Sequence, residues 1–471
     1  MKETKEKFLK DSSAKSKDLE HKSRLQHAFD NYHNKQKKSL LQFSDLQLAK
    51  ERAGGIRQKS IENLEKYLIE FESNFIKNGG KLIWARDAEE ALIEIDKIIQ
   101  KHAPEFIIKS KSMATEEIGL NEFLAEKKID AIETDLGEFV QQLAGEAPYH
   151  IVTPCLQKTK EEIKLLFEPI RKKNGETADT ENNSAEELTN TARKYLRRYL
   201  QTAKIGITGA NFLLADCGAI AITENEGNAF FCASATETHI AVVGIEKIIP
   251  SINDLELLWP LLATFGTGQK ITTYNHIISG PRQADETEGP KEFYLVLIDN
   301  GRSELLEKTE QRRALACIRC GACYNVCPVY KNIGGHVYNH VYGGPIGKVI
   351  TPHLAKDKNF SHLSQASSLC GACTEICPVG IDLHKLILFN RRDEVTENKI
   401  STPIAIGAEK LIWLAWKTAM LKRSNMDKGG AKAKNILLKL LFKKLWGKER
   451  ELPKVAEKSF NQLMREQRNI S

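Results

Sequence analysis

Two cysteine runs in the second half of this 471-residue chain constrain its fold more than any other feature. The first run, CIRCGACYNVCP over 317–328, has the C-x₂-C-x₂-C-x₃-C-P spacing by which proteins bind cubane iron–sulfur clusters in pairs. The second run, SSLCGACTEICP over 367–378, repeats this spacing, but Ser367 takes the place of its first cysteine. The two runs therefore predict two iron–sulfur clusters, for which the four-iron [4Fe-4S] type is expected.

A crossed arrangement of ligands follows from this spacing, because the last cysteine of each run points to the cluster of the other run. Four thiolates are then expected to bind the first cluster: Cys317, Cys320, Cys323 and Cys377. Three are expected to bind the second cluster: Cys327, Cys370 and Cys373. A pair of structural zinc sites is the alternative, but zinc knuckles do not require a third cysteine followed by Cys-Pro.

The fourth ligand of the second cluster is left open by the sequence. This cluster could contain three irons, or four irons with a non-cysteine or external ligand. Because a hydroxyl is a poorer iron ligand than a thiolate, we expect that Ser367 does not bind iron. Four histidines between the runs are the other candidates: His336, His340, His353 and His362.

The composition of the chain limits its expected cellular location and partners. The first 39 residues are charged and lack the apolar core of a secretory signal, and no run of about 18 apolar residues occurs. We therefore expect a cytoplasmic protein, with peripheral contact at the inner face of the membrane left open. The net charge of +7 is modest for this length, and no nucleic-acid partner is expected. Three isolated cysteines are expected to be inert core thiols: Cys155, Cys217 and Cys232.

Four segments are expected along the chain. Residues 1–55 are polar and predict a charged helical extension with little core, interrupted at Gly54-Gly55. Residues 56–300 alternate helical patterns with short apolar runs, which is typical of an α/β domain with a mostly parallel sheet covered on both faces. Residues 301–395 predict an all-α, two-cluster ferredoxin module. Residues 396–471 predict a basic amphipathic helical region.

Individual elements of the α/β domain are predicted from hydrophobic periodicity. Helices are predicted at 61–77, 87–101 and 186–199, and a surface loop at 173–184. Strands are predicted at 81–85, 105–109, 131–133, 149–152, 219–223, 240–244 and 293–298.

The C-terminal region carries an excess of positive charge. Between Pro403 and Leu452 there are twelve Lys or Arg and four Asp or Glu, together with Trp413, Trp416 and Trp446. A basic helix with an apolar face suits an acidic partner groove or a membrane surface. We favour docking on the protein itself or on a partner subunit, because Gly429-Gly430 divides the stretch into two short helices.

The cysteine runs follow an α/β segment that carries ITGANF at 207–212 and TENEGN at 223–228. This combination resembles the lactate utilization protein B family, the iron–sulfur subunits of a bacterial three-protein system that oxidises L-lactate to pyruvate. The resemblance extends from about residue 55 to the tail and includes the second run without its first cysteine. It implies a LUD domain with a fold similar to CoA transferases and sugar-phosphate isomerases. It also implies two partner subunits, a cysteine-rich protein and a protein with only the LUD domain.

The chemistry of the clusters suggests how such a chain would act. Each cluster passes one electron at a time, whereas oxidation of a 2-hydroxy acid removes two, so the reaction at carbon needs another site or subunit. We expect this chain to conduct electrons, and no catalytic residue is assigned. One alternative is an iron–sulfur subunit of another dehydrogenase or a heterodisulfide-reductase-like complex. Another is a CoA-transferase-like enzyme with accessory clusters, which would need an activated Glu224 or Glu226.

Two further motifs bear on ligand binding. The segment Lys109-Ser-Lys-Ser112 follows a strand, where α/β folds place ligands, and it could bind phosphate or carboxylate. The favoured interpretation is nevertheless an exposed polar loop. The sequence contains neither a GxGxxG after a strand nor a P-loop, so it supports neither a dinucleotide fold nor an ATPase.

Overall fold

The computed structural model describes residues 2–174, 184–355, 360–397, 411, 413–418, 420–422, 430–446 and 451–468. These residues belong to two compact units, Met1–Val395 and Thr396–Ser471. Residues 175–183 of the loop predicted at 173–184 and part of the basic tail lie outside the described residues. Within the described part, no helix combines the length and the apolar character that a membrane span requires.

Three helices precede the α/β part of the first unit: α1 (Lys2–Lys15), α2 (Leu19–Ser39) and α3 (Leu46–Glu62). The expectation that this extension contributes little core is wrong. Leu25 is fully buried, and the Phe8 and Phe29 rings lie 6.1 and 6.3 Å from the rings of Tyr338 and Tyr330. The extension therefore covers the segment that carries the cysteine runs.

The α/β part alternates strands and helices over residues 64–298. Its helices are α4 (Leu64–Lys77), α5 (Ala88–His102), α6 (Met113–Glu117), α7 (Leu120–Glu126), α8 (Leu136–Ala144), α9 (Lys160–Lys173), α10 (Ala185–Thr202), α11 (Asn228–Ser234) and α12 (Leu255–Gly266). Its strands are β1 (Lys81–Ala85), β2 (Phe106–Lys109), β3 (Asp130–Glu133), β4 (Ile205–Thr208), β5 (Phe212–Leu214), β6 (Ala219–Glu224), β7 (Thr238–Gly244), β8 (Ile248–Ile249), β9 (Tyr274–Ile278) and β10 (Glu292–Ile298).

The main sheet of the described chain contains parallel strands in the order β1-β10-β7-β4-β2-β3. Every residue of β7 is buried. Ile240 and Val242 pack in the same cluster as Ile98 of α5, whereas Ala241 and Val243 pack with Phe75 of α4. Helices therefore cover both faces of this sheet, which explains why its strands appear in the sequence as nearly continuous apolar runs.

A second sheet, in the order β8-β5-β6-β9, was not predicted. Strand β6 pairs antiparallel with both β5 and β9. Two of its strands have only two or three residues, which is too short for a hydrophobic period to be recognised. The predicted strand at 219–223 is central to this sheet, not to the parallel one.

The predicted strand at 149–152 is wrong. The Tyr149 N–H donates to Pro154 O, and the Tyr149 carbonyl accepts from the Tyr330 hydroxyl at 2.7 Å. The His150 ring accepts the N–H groups of Val152 and Thr153 through Nδ1. Because these turn bonds occupy the backbone, the segment cannot join a ladder. The other six predicted strands are confirmed to within two residues.

The segment after β10 contains helices and turns but no strand in its described residues. Its helices are α13 (Arg302–Glu307), α14 (Ala322–Val326), α15 (Pro328–Ile333), α16 (Gly344–Leu354), α17 (Ala372–Ile376) and α18 (Leu383–Glu397). Helix α14 packs against α17, so the two cysteine runs lie side by side. In the second unit, the described helices with full bounds are α19 (Ala431–Trp446) and α20 (Phe460–Arg468).

The interruption predicted at Gly54-Gly55 is absent, because α3 continues through both glycines. Gly54 is buried, and a Cβ there would lie 3.0 Å from the Val379 carbonyl oxygen and 3.3 Å from Arg313 Nη2. The Arg313 guanidinium donates to the carbonyls of both Gly54 and Val379. Gly54 therefore allows the chain after the second cysteine run to approach the helix closely.

This contact predicts different outcomes for two adjacent substitutions. Gly55 is exposed and a Cβ there meets nothing, so Gly55→Ala should raise the free energy of unfolding by up to about 1 kcal/mol through helix propensity. Gly54→Ala should gain less or lose stability, because its Cβ presses on Val379 and Arg313. The midpoint of thermal unfolding measures both variants, and equal stabilisation would show that the contact is unimportant.

Candidate functional site

Four of the seven clustered cysteines line one small cavity: Cys317, Cys320, Cys323 and Cys377. The same walls contain Ile151, Ile346 and Val379, so the thiols meet in an apolar environment. Burial raises the pKa of the Cys320 and Cys323 thiols, and neighbouring Cys317 raises both further. Such thiols stay protonated in the absence of a cation, whereas iron would bind them as thiolates and release the protons. This donor set fits a cubane cluster.

The two cysteine runs have the same backbone conformation. The second residue after each run's first position has a left-handed backbone, with φ of 59° at Arg319 and 55° at Leu369. The following glycines, Gly321 and Gly371, are also left-handed, at 75° and 86°. Each glycine precedes a five-residue helix. The repeat seen in the sequence is thus a repeat in structure.

Ser367 lies where this repeat places Cys317 in the first run. The Arg319 N–H donates to Cys317 Sγ at 3.3 Å, and the Leu369 N–H donates to Ser367 Oγ at 3.2 Å. The serine side chain therefore occupies the place of the missing thiol.

The remaining three cysteines form a second group. Cys327 and Cys373 are buried, whereas Cys370 is exposed. Burial, followed by the neighbouring Cys327, raises the pKa of Cys373 to about 11, and Cys370 adds to this effect. The Lys348 ammonium is fully buried and donates to Cys327 Sγ at 3.6 Å. Three thiols and a buried cation fit a cluster, whose net charge is negative.

The candidate histidines make other contacts. His336 Nε2 lies 2.8 Å from the Ala147 carbonyl oxygen, and His353 Nε2 lies 3.1 Å from Asn390 Oδ1. His340 Nδ1 accepts the Tyr342 N–H. His362 is buried, with its ring 5.3 Å from that of Phe8. Each histidine thus has a structural role in the packing of this segment.

The three isolated cysteines lie apart from both groups. Cys232 is fully buried, as expected, and burial raises its pKa to about 12. Cys155 and Cys217 are only partly buried, and burial raises the pKa of each to about 11. Thiols with such pKa values are protonated at neutral pH and are poor nucleophiles.

A cavity of about 370 Å³ adjoins the first cysteine run. It lies beyond the carboxyl ends of β2, β4 and β7, where parallel sheets place their ligands. Its walls include Ser110, Lys111 and Ser112, and also Arg319 from within the cysteine run. No sequence pattern indicates that residues of the α/β domain and of the cluster segment line the same cavity.

The favoured interpretation of residues 109–112 as an exposed loop is wrong. Lys109, Ser110 and Ser112 are buried. The Lys109 ammonium is fully enclosed by carboxylates, 2.9 Å from Glu116 and 2.7 Å from Glu133. These two ion pairs compensate the buried charge of Lys109, and the three residues that follow it line the cavity.

A buried ion-pair network links this cavity to the cysteine run. Glu246 pairs with Arg302 Nε and, at 3.2 Å, with Arg319 Nη2. Arg302 also pairs with Glu117 at 2.8 Å, and the Tyr342 hydroxyl donates to Glu117 at 2.7 Å. Burial alone raises the pKa of Glu246, but the two arginines outweigh burial and hold it at about 2. Glu246 is therefore ionised at neutral pH.

Helix α3 supports this network through Arg57. The guanidinium is fully buried and donates to the carbonyls of Glu246 and Ile248 from the α/β part. It also donates to the carbonyls of Leu315 and Ala316, which directly precede Cys317. One side chain thus connects the extension, the sheet and the first cysteine run.

The two glutamates proposed from the sequence occupy different environments. The Glu224 carboxylate accepts the N–H groups of Ala229 and Phe230, so it caps α11. Glu226 accepts the Leu136 N–H at 3.1 Å, and burial followed by Asp135 raises its pKa to about 7. Glu224 therefore has a structural role, while Glu226 is the carboxyl poised to exchange a proton.

Comparison with known families agrees with this division of the chain. Residues 68–298 match the LUD domain family, and residues 313–381 match the 4Fe-4S dicluster domain family. The protein is therefore an iron–sulfur protein that joins a LUD domain to a dicluster domain binding two [4Fe-4S] clusters.

Individual relatives identify the family. The chain is 42% identical to lactate utilization protein B of Anoxybacillus flavithermus (strain DSM 21510 / WK1) over 362 residues, which are 77% of this chain and 74% of that protein. It is 44% identical to lactate utilization protein B of Bacillus subtilis (strain 168) over 363 residues, 77% of this chain and 73% of that protein. The uncharacterized electron transport protein YkgF of Escherichia coli (strain K12) is 39% identical over 418 residues, 87% and 86% of the two chains. This chain belongs to the lactate utilization protein B family.

The network predicts a large effect of a single substitution. Glu246→Gln leaves Arg302 and Arg319 buried with less compensating charge, so the free energy of unfolding should fall by about 3–5 kcal/mol. Glu237 forms an exposed pair with Lys291 and provides the control, since Glu237→Gln should cost at most about 1 kcal/mol. Denaturant unfolding of the two variants tests this ranking, and similar losses would contradict it.

The buried lysine predicts a change in redox behaviour. A positive charge beside Cys327 favours the reduced, more negative cluster, so Lys348→Met should lower the reduction potential of the second cluster. The expected shift is on the order of tens of millivolts. A redox titration followed by EPR measures it, with Lys97→Met on the exposed face of α5 as the control. Burial lowers the pKa of Lys348, and an unchanged potential would mean that the amine is neutral in the protein.

Proposed function

We propose that this protein is the iron–sulfur electron-transfer subunit of a multiprotein system that oxidises L-lactate to pyruvate. The single observation that carries this proposal is the placement of two thiol groups beside a LUD domain within one compact unit. The substrate in this proposal, lactate, is taken from the name of the relatives, lactate utilization protein B. Oxidation of L-lactate releases two electrons and two protons, and two one-electron sites accommodate both electrons in turn.

In this proposal, Cys317, Cys320, Cys323 and Cys377 hold the first cluster, and Cys327, Cys370 and Cys373 hold the second. When bound, each cluster supplies the ability to accept and release one electron. The apolar walls at Ile151 and Ile346 exclude water from the first group. Exposure of Cys370 leaves the second group near the surface, where a partner could receive electrons.

The fourth coordination position of the second cluster is proposed to lack a protein thiolate. Ser367 Oγ accepts the Leu369 N–H as Cys317 Sγ accepts the Arg319 N–H, but a serine hydroxyl is a poorer iron ligand than a thiolate. The side chain is partly exposed, so water or an external ligand has access to this position.

The domain limits 1–55, 56–300, 301–395 and 396–471 belong to the proposal. The family matches and the division after Val395 support the last three, while the limit at residue 55 falls inside α3. A fold related to CoA transferases and sugar-phosphate isomerases is supported by the parallel sheet and the cavity at its carboxyl edge. The absence of strands in the described residues after β10 supports an all-α ferredoxin module.

The proposed partners are a cysteine-rich subunit and a subunit with only a LUD domain. The basic region after residue 395 is proposed as their docking element, with peripheral membrane contact as the alternative. The described helix α19 carries Lys432, Lys434 and Lys439 beside exposed Leu437 and Leu440, which supports contact with an acidic, partly apolar surface.

A CoA-transferase-like enzyme is the rival proposal, and the contacts of Glu224 argue against this residue as its nucleophile, which leaves Glu226 as the carboxylate that the rival would require. Both Glu224 oxygens accept backbone N–H groups at 2.7 and 2.9 Å, which lowers the nucleophilicity of this carboxylate. No observation favours a heterodisulfide-reductase-like complex over the lactate system.

The proposed coordination predicts opposite results for two substitutions. Ser367→Ala should leave the iron content and the EPR spectrum unchanged, because the hydroxyl does not bind iron. Ser367→Cys should alter the spectrum of the second cluster, because the repeated backbone directs the new thiol as it directs Cys317. Loss of iron in Ser367→Ala would contradict the proposal and identify the serine as a ligand.

The function itself is tested by reduction of the clusters with substrate. The anaerobic protein, mixed with both partner subunits and L-lactate, should develop the EPR signals of reduced clusters. D-lactate provides the matched control. A chain that ends at Pro403 should keep its clusters but lose this reduction if the tail is the docking element. Clusters that dithionite reduces and that L-lactate never reduces would contradict the proposed function.

A further inference from the structure

The cavity beside the first cysteine run has a basic end. Lys247, Arg302 and Arg319 line it there, together with Glu246. The Glu246 carboxylate already pairs with both arginines, and Arg302 is further neutralised by Glu117. Lys247 and Arg319 Nη1 remain without a carboxylate partner among the described residues. Burial, followed by the neighbouring Arg319, lowers the pKa of Lys247 to about 7, and a bound anion would raise this pKa again and favour the ammonium form.

Two observations indicate that this end can bind an anion. Arg319 is 8% exposed, and its Nη1 is buried with no hydrogen-bond partner in the described structure. The Tyr342 ring, 4.6 Å from its guanidinium carbon, holds the group in place without satisfying that nitrogen. Lys247 makes no ion pair with any described residue and keeps part of its surface open to the cavity. A buried donor without an acceptor is costly, so a bound anion would stabilise this arrangement.

Another part of the cavity wall, here called the acidic end, carries carboxylates. Asp135, Glu224 and Glu226 line it, with Lys111 close to Glu226. Lys111 is partly engaged, because its ammonium donates to the Val152 carbonyl at 2.8 Å. Carboxylates at this end repel a second negative charge but accept hydrogen bonds from hydroxyl groups. The cavity thus favours a ligand with one anionic end and one hydroxyl-bearing end.

We propose that this cavity binds a small hydroxy acid, with its carboxylate between Lys247 and Arg319 and its hydroxyl directed to Glu226. The volume of about 370 Å³ accommodates such a molecule with ordered water or a longer carbon chain. A dicarboxylic acid fits less well, because its second carboxylate would face the acidic end. The identity of the acid as L-lactate rests on the proposed function, whereas the carboxylate chemistry rests on the cavity.

This placement would bring the ligand next to the first cluster. Arg319 lies between Cys317 and Cys320 in the chain, and its own N–H donates to Cys317 Sγ. A carboxylate on Arg319 therefore changes the charge beside that cluster. Binding should be visible in the spectrum of the first cluster as well as in a binding isotherm.

The test is calorimetric titration of the anaerobic, cluster-loaded full chain with L-lactate. Wild-type protein should bind it, and Lys247→Met should bind at least about tenfold more weakly, the loss expected for one charge-assisted hydrogen bond. Lys291→Met, at an exposed ion pair, is the matched control and should bind like the wild type. Iron content and the dithionite-reduced EPR spectrum, measured on each variant, show that the clusters are intact.

Two other probes separate the ligand classes. Propionate, which lacks the hydroxyl, should bind more weakly than L-lactate, and malonate, which has a second carboxylate, should not displace L-lactate. L-lactate should also shift the EPR spectrum of the reduced first cluster. The inference is overturned if wild-type protein with intact clusters does not bind L-lactate, if Lys247→Met binds it equally well, or if malonate competes as well as L-lactate binds. A protein that binds L-lactate while its clusters stay oxidised with the partners present would instead overturn the proposed function alone.

Discussion

The buried carboxylate of Glu246 organises the structure around the first cysteine run. It lies directly after β7 and pairs with Arg302 after β10 and with Arg319 inside the run. Because all three side chains are almost fully buried, the loss of any partner leaves an uncompensated charge in the interior. The backbone carbonyl of Glu246 also accepts from Arg57. The ionised Glu246 side chain, together with Arg57, thus connects the first cysteine run to the sheet.

This arrangement explains how an α/β domain and a cluster segment can act together. A polar cavity lies at the carboxyl edge of the parallel sheet. Arg319, which belongs to the first cysteine run, forms part of its wall. The second thiol group contains Cys370, which is exposed, and Cys327, which contacts the buried ammonium of Lys348. The first group is enclosed and adjoins the cavity, whereas the second opens outward. In the proposed function, this asymmetry supports an order of electron movement from the cavity to the surface.

The sequence was sufficient for the features that depend on local spacing. Cysteine spacing predicted the clusters, and apolar runs such as 240–244 predicted the parallel strands, because both patterns are complete within a few residues. It was insufficient where distant segments decide the outcome. The sequence predicted an interruption of the helix at Gly54. In the structure this glycine instead allows Val379, which is 325 positions away in the chain, to approach the helix closely. Likewise, no sequence pattern indicates the pairing of Arg319 with Glu246, which follows only from the fold.

The central claim is that the seven cysteines bind two [4Fe-4S] clusters, and the most direct test is chemical analysis of the anaerobically purified chain. Iron, acid-labile sulfide and zinc are measured together, with EPR of the dithionite-reduced protein. The account predicts about eight irons and about eight sulfides per chain, with two interacting paramagnetic centres after reduction. Stoichiometric zinc without acid-labile sulfide would contradict it.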